Sequence, residues 1–93
     1  MAAEPDSFAW DDAKAASNLV KHGVSFEEAA TAFEDPHSLT IPDVRHADRF
    51  VLLGYSQQQR MLVVVHAERR ATIRIISART ATPREKRDYE EGL

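Results

Sequence analysis

The chain has 93 residues, 43% hydrophobic and 29% charged, with a formal net charge of −3 and no cysteine. That suffices for one domain with one modest core, expected over residues 1–93, and it excludes disulfides, thiolate metal sites and a catalytic thiol. The opening MAAEPDSFAW lacks the basic start and apolar run of a secretory signal, and the longest apolar stretch, MLVVVHA, is too short for a membrane span, so a cytoplasmic protein is expected.

In chain order, DSFAW alternates apolar residues at Phe8 and Trp10 and predicts a short first strand. Asp11 or Asp12 then caps a helix through AKAASNLVKH, whose Ala13, Ala16, Leu19 and Val20 form one stripe. Gly23 ends it, with Lys21 and His22 near the negative end of the helix dipole. A second helix opens on SFEE, where Ser25 and Glu28 have the spacing of a capping box. Phe26, Ala29, Ala30 and Phe33 give it one apolar face, and Asp35-Pro36 stops it.

From there the hydrophobic period changes to two. SLTIPD, RFVLLGYS, RMLVVVHA and TIRIISAR read as four strands, and the short connections SQQQ and ERRA suit hairpins. A consecutive antiparallel meander follows. TPRE starts the last helix, with Thr82 as N-cap, Pro83 in the first turn and Glu85 completing a capping box. The expected class is α+β: a short N-terminal strand, two helices, a four-stranded antiparallel meander and a C-terminal helix.

Charge is unevenly spread. Residues 1–35 carry eight acids and two lysines, whereas residues 69–87 carry seven cations against Glu85 alone. A basic segment on an acidic protein is either a solvated face or a local seat for a polyanion. Arg74 and Arg79, at the two ends of the last strand, could grip a phosphate through planar guanidinium forks. They could equally be exposed or paired with carboxylates. Glu85 and Tyr89, one helical turn apart, suit a general base and a proton donor or positioning group. Against this, Glu85 is already explained as a cap and Tyr89 as a ring packed on the sheet. His66 closes LVVVH and can exchange a proton near neutral pH, although a hydrogen-bonded rim histidine is the ordinary reading. The histidines are too scattered for a metal site, and Gly23, Gly54 and Gly92 cannot build a phosphate loop, so neither metal nor cofactor is expected.

Two motifs together resemble a known family. Phe8-x-Trp10-Asp11, Lys14, Asn18, Lys21-His22-Gly23-Val24 and Phe26-Glu27-Glu28-Ala29 are similar to the opening of the BrnT toxins. Arg74-Ile75-Ile76-Ser77-Ala78-Arg79, Ala81, Glu85 and Tyr89 are similar to their close, with Lys86 where the family pattern has arginine. The resemblance spans roughly residues 8 to 89. It implies a RelE-like fold and a type II toxin that cleaves RNA and inhibits translation. It also implies neutralisation by a BrnA-like ribbon-helix-helix antitoxin, through which the complex would reach promoter DNA. Metal-independent RNA cleavage needs a base, a proton donor and cations against the developing phosphorane charge. Under the resemblance, Arg79 and Arg74 stabilise charge, Glu85 or His66 is the base, and Tyr89 positions or donates. Arg84, Lys14 and Lys21 are candidate RNA contacts. The reading that competes is a non-catalytic module whose basic C-terminal segment receives an acidic protein.

Overall fold

A computed structural model describes residues 7–92 of the chain. Residues 1–6, on which part of the reading of the N-terminus rests, lie outside the described residues. Asp11 and Gly23 bound the first helix, α1 (Asp12–His22). The Asp11 carboxylate accepts the Lys14 N–H at 2.9 Å, and Gly23 closes the helix at φ 69°, a left-handed conformation that favours glycine.

Helix α2 (Phe26–Thr31) starts where Ser25 Oγ accepts the Glu28 N–H, and a 3-10 turn over Ala32–Glu34 carries it to Asp35. The expected capping box is only half made. Instead of reaching back to Ser25, the Glu28 carboxylate accepts from Ser56 Oγ at 2.7 Å and Arg60 Nε at 2.9 Å. A carboxylate 6% exposed needs a cation beside it, and Arg60 meets that need better than a backbone N–H would. Arg60 also donates to the Gly23 carbonyl, so this cluster ties the end of α1, the start of α2 and the turn at Ser56 together.

The strands are β1 (Ser7–Ala9), β2 (Leu39–Pro42), β3 (Phe50–Tyr55), β4 (Met61–Arg69) and β5 (Thr72–Thr80), followed by helix α3 (Pro83–Glu91). They form one sheet in the order β1-β5-β4-β3-β2. The antiparallel meander of β2 to β5 is as expected, and β1 extends it by pairing parallel to β5, Phe8 beside Ile73.

Residues opposite one another in the ladder share a face of the sheet. The set Thr40, Leu52, Val64 and Ala78 lies on the face covered by α1 and α2, and so do Phe50, His66 and Ile75. Leu52, Leu62, Val64, Ile73, Ile75 and Ala78 bury this face against Val24, Phe26, Ala29 and Ala32. Trp10 lies just beyond β1 and packs edge-on to Phe26 at 6.0 Å. Gly54 permits the 3-10 turn to approach β3, because a Cβ there would meet the Ala32 carbonyl at 3.0 Å.

Strand β5 is irregular in one place. Val65 pairs with Ser77 but His66 pairs with Ile75, so Ile76 is an extra, unpaired residue. Arg74 and Arg79 are an odd number of positions apart, and strict alternation would put them on opposite faces. The bulge puts both on the open face, away from α1 and α2. Just past it, Asn18 of α1 takes over the role of a neighbouring strand. Its amide donates to the Ala78 carbonyl at 2.8 Å and accepts the Ala78 N–H at 3.1 Å, and it also donates to the Val24 carbonyl at 2.9 Å.

Asn18→Leu removes all three bonds and leaves buried backbone groups without partners, each costing about 1–3 kcal/mol. We expect a loss of about 3 kcal/mol or more in urea unfolding, against under about 0.5 kcal/mol for the exposed control Ser17→Ala.

Candidate active site on the open face of the sheet

The open face is defined by two rows of ladder partners: Leu39, Leu53, Val63 and Arg79, and beside it Ile41, Val51, Val65 and Ser77. Arg74 is on the same face towards the other end of β5, opposite Ala67 and next to Ala9. Helix α3 lies over part of this face, with Glu85 and Asp88 facing the aliphatic floor.

Arg79 and Glu85 make a planar, two-point ion pair. Nη1 and Nη2 each donate to one carboxylate oxygen, both at 2.8 Å. Glu85 is also the cap residue the sequence predicts. It accepts the Thr82 N–H at 2.9 Å while Thr82 Oγ1 accepts the Glu85 N–H at 3.2 Å. The Arg79 hydrogen bonds, joined by those from Thr82, hold the Glu85 carboxyl down to about 2 despite its partial burial. The cap role read for Glu85 from sequence is thus combined with an arginine pair that the sequence reading did not assign to it.

One turn on, the Tyr89 hydroxyl donates to Asp35 Oδ2 at 2.7 Å, and its ring meets Tyr55 edge-on at 5.4 Å. Burial and the Asp35 carboxylate push this phenol up to about 12. Burial would raise Asp35 as well, but hydrogen bonds from the Tyr55 N–H, the Tyr89 hydroxyl and the His37 N–H hold it below the usual carboxylate value. Asp35 was read from sequence only as a helix stop. Its Asx-type bond to His37 is a local signal, but its partner Tyr89 is 54 positions away and no spacing rule reaches that far.

His66 lies elsewhere. It is fully buried on the helix face, stacked on Phe50 and edge-on to Phe33, with Nε2 3.0 Å from Glu68 Oε2. The bulge that turns Arg79 outward leaves His66 facing the core, so it is neither a rim residue nor a neighbour of Arg79. Lys14 and Lys21 line a shallow hollow on α1 together with Ile76 and Ser77, beside the bulge. Arg84 is exposed in the first turn of α3. Among the described residues no three His, Asp or Glu side chains gather as a metal site would require.

Comparison with known proteins matches this architecture to one family. The profile described as "Ribonuclease toxin, BrnT, of type II toxin-antitoxin system" matches residues 10–85. The crystal structure of the Brucella abortus ribonuclease toxin BrnT superposes with a TM-score of 0.68 at 23% identity, covering 82% of this chain and 96% of that one. No curated protein matches the sequence significantly. The α+β fold expected from the sequence is therefore that of a solved toxin, and the profile covers most of both motifs that carry the resemblance, from Trp10 to Glu85. The chain belongs to the BrnT family of ribonuclease toxins from type II toxin–antitoxin systems.

Proposed function

We propose that this chain is an endoribonuclease of the mRNA interferase type, working in the cytoplasm by metal-independent acid–base chemistry and restrained by a BrnA-like ribbon-helix-helix antitoxin. Promoter DNA would be reached only through the complex with that antitoxin. The observation that carries the catalytic reading is the Arg79 fork, held flat on the open face by the Glu85 carboxylate. A fork already shaped to a two-oxygen acceptor is shaped for a phosphodiester as well.

In this reading an RNA phosphate displaces Glu85 from Arg79. The 2′-oxygen then forms a bond to phosphorus as the bond to the 5′-oxygen breaks. Arg79, with Arg74 further along the strand, stabilises the charge on the phosphorane oxygens. Glu85, released from the cation that depresses it, accepts the 2′-hydroxyl proton, and the departing 5′-oxygen takes its proton from water. Tyr89 positions α3 through Asp35 and is not the proton donor, since its hydroxyl is already committed to that carboxylate. His66 is left out because it is buried on the opposite face. Arg84, Lys14 and Lys21 extend the cationic border that the RNA backbone follows.

End-labelled RNA incubated with the purified chain in excess chelator should be cut. Arg79→Ala should cut about 100-fold or more slowly, a loss typical of removing one transition-state donor. Parental rates in both Arg79→Ala and Glu85→Ala would refute the assignment. A folded parent that never cuts, with or without ribosomes, would favour the non-catalytic module.

The pH profiles should also separate. In the free enzyme Glu85 ionises at about 2, so kcat/KM should show no acid limb from this group above about pH 3. With Arg79 taken by phosphate, the Glu85 value rises. The acid limb of kcat should then move up to the ordinary carboxylate range of about 4 or higher. Coincident limbs in the two profiles would mean that Glu85 stays paired throughout.

A further inference from the structure

The open face holds more than the arginine fork. Leu39, Ile41, Val51, Leu53 and Val63 form an aliphatic floor across three strands, and with Glu85 and Asp88 they line a trough of about 180 Å³. Ile41, on the outermost strand of this floor, is 59% exposed. The wall is unusual for such a floor. Glu85 is satisfied by Arg79 and Thr82, but among the described residues the Asp88 carboxylate takes part in no side-chain hydrogen bond or ion pair.

We infer that this trough is the docking seat for an amphipathic helix of the antitoxin, with aliphatic side chains on the floor and a lysine or arginine against Asp88. The inference rests on the toxin reading above. Three strands span about 10 Å, the width of one helix. An RNA segment fits less well. The floor offers no aromatic ring for a base to stack on, and a free carboxylate on the wall repels phosphate. A second copy fits less well too. The apolar stripe expected on α1, Ala13, Ala16, Leu19 and Val20, is exposed rather than packed on the sheet, but it offers only two large aliphatic side chains to a floor of five. The position has a functional consequence. Val63 of the floor is the ladder partner of Arg79, so a helix seated there stands beside the fork and hinders the approach of RNA.

The test uses Asp88→Lys and Ile41→Asp, neither of which belongs to the proposed catalytic set. Each variant is titrated calorimetrically with the full-length cognate antitoxin, and its RNA cleavage without antitoxin is measured in parallel. We expect cleavage within about twofold of the parent, and antitoxin affinity weakened about 30-fold or more for Asp88→Lys, as for a reversed charge in a desolvated contact. Ile41→Asp should weaken binding about tenfold or more. Parental affinity in both variants would overturn the docking seat and leave the ribonuclease reading intact. Loss of cleavage with parental antitoxin affinity would assign the trough to RNA and overturn the inference. So would a dimer of the toxin alone that Asp88→Lys disperses. A parent that binds antitoxin through this trough but never cuts RNA would overturn the ribonuclease reading alone.

Discussion

One extra residue in β5 governs the rest of the molecule. Ile76 has no partner in the ladder, and that single insertion turns Ser77 and Arg79 to the face already occupied by Arg74. Without it, the guanidinium of Arg79 would point at Val24, Phe26 and the other residues that bury the sheet against the helices. Strand β1 ends opposite Arg74, which leaves the outer edge of β5 beyond it with unsatisfied backbone groups. Asn18 meets that requirement at Ala78 from the flank of α1. The register of the strand, the seat of the helix and the direction of the arginine are consequently one problem with one solution.

Carboxylates do different work in the two halves of the fold. Glu28 is buried with Arg60 and Ser56, where its charge joins three segments and is closed to solvent. The Arg60 hydrogen bonds, together with Ser56, hold it below its ordinary value. Glu85 is similarly paired, but the carboxylate itself is 28% exposed against 6% for Glu28, while the two arginines are alike at 42% and 40%. A buried pair broken by a competitor leaves an uncompensated charge, whereas an accessible pair can exchange one anion for another. The Arg79–Glu85 pair is the accessible one, and it is where the proposed phosphate chemistry would take place.

Much of the fold was legible because its signals are local. The caps at Asp11, Gly23, Ser25 and Thr82 are short-range chemistry, and the change of hydrophobic period marks the start of the sheet. The parallel pairing of β1 was not legible, since three residues carry no register information and the partner lies some 65 positions away. The orientation of Arg79 was not legible either, because a bulge has no reliable signature in a run as uniform as TIRIISAR. His66 faces the core by plain alternation with Leu62 and Val64 in β4; what the sequence does not show is that Phe33 and Phe50 close over it. Asp35 went unrecognised because its role exists only where the 3-10 turn, β3 and α3 meet, a junction that depends on the close approach allowed by Gly54.

Helix α3 then stands out by how it is held. None of its residues is buried, so no apolar face fixes its position. Its inward side carries Glu85, Asp88 and Tyr89, and its attachments are polar: Glu85 to Arg79 at one end and Tyr89 to Asp35 at the other. A helix secured this way is coupled to whatever competes for those tethers. An anion that takes Arg79 removes one of the two, and by reciprocity any partner that shifts α3 changes the affinity of Arg79 for that anion. Had the helix been seated on the floor by leucines, its position would not depend on what Arg79 binds. Because an aliphatic trough stays open beneath two carboxylates, the position of the helix and the binding of any anion at Arg79 are linked through one ion pair.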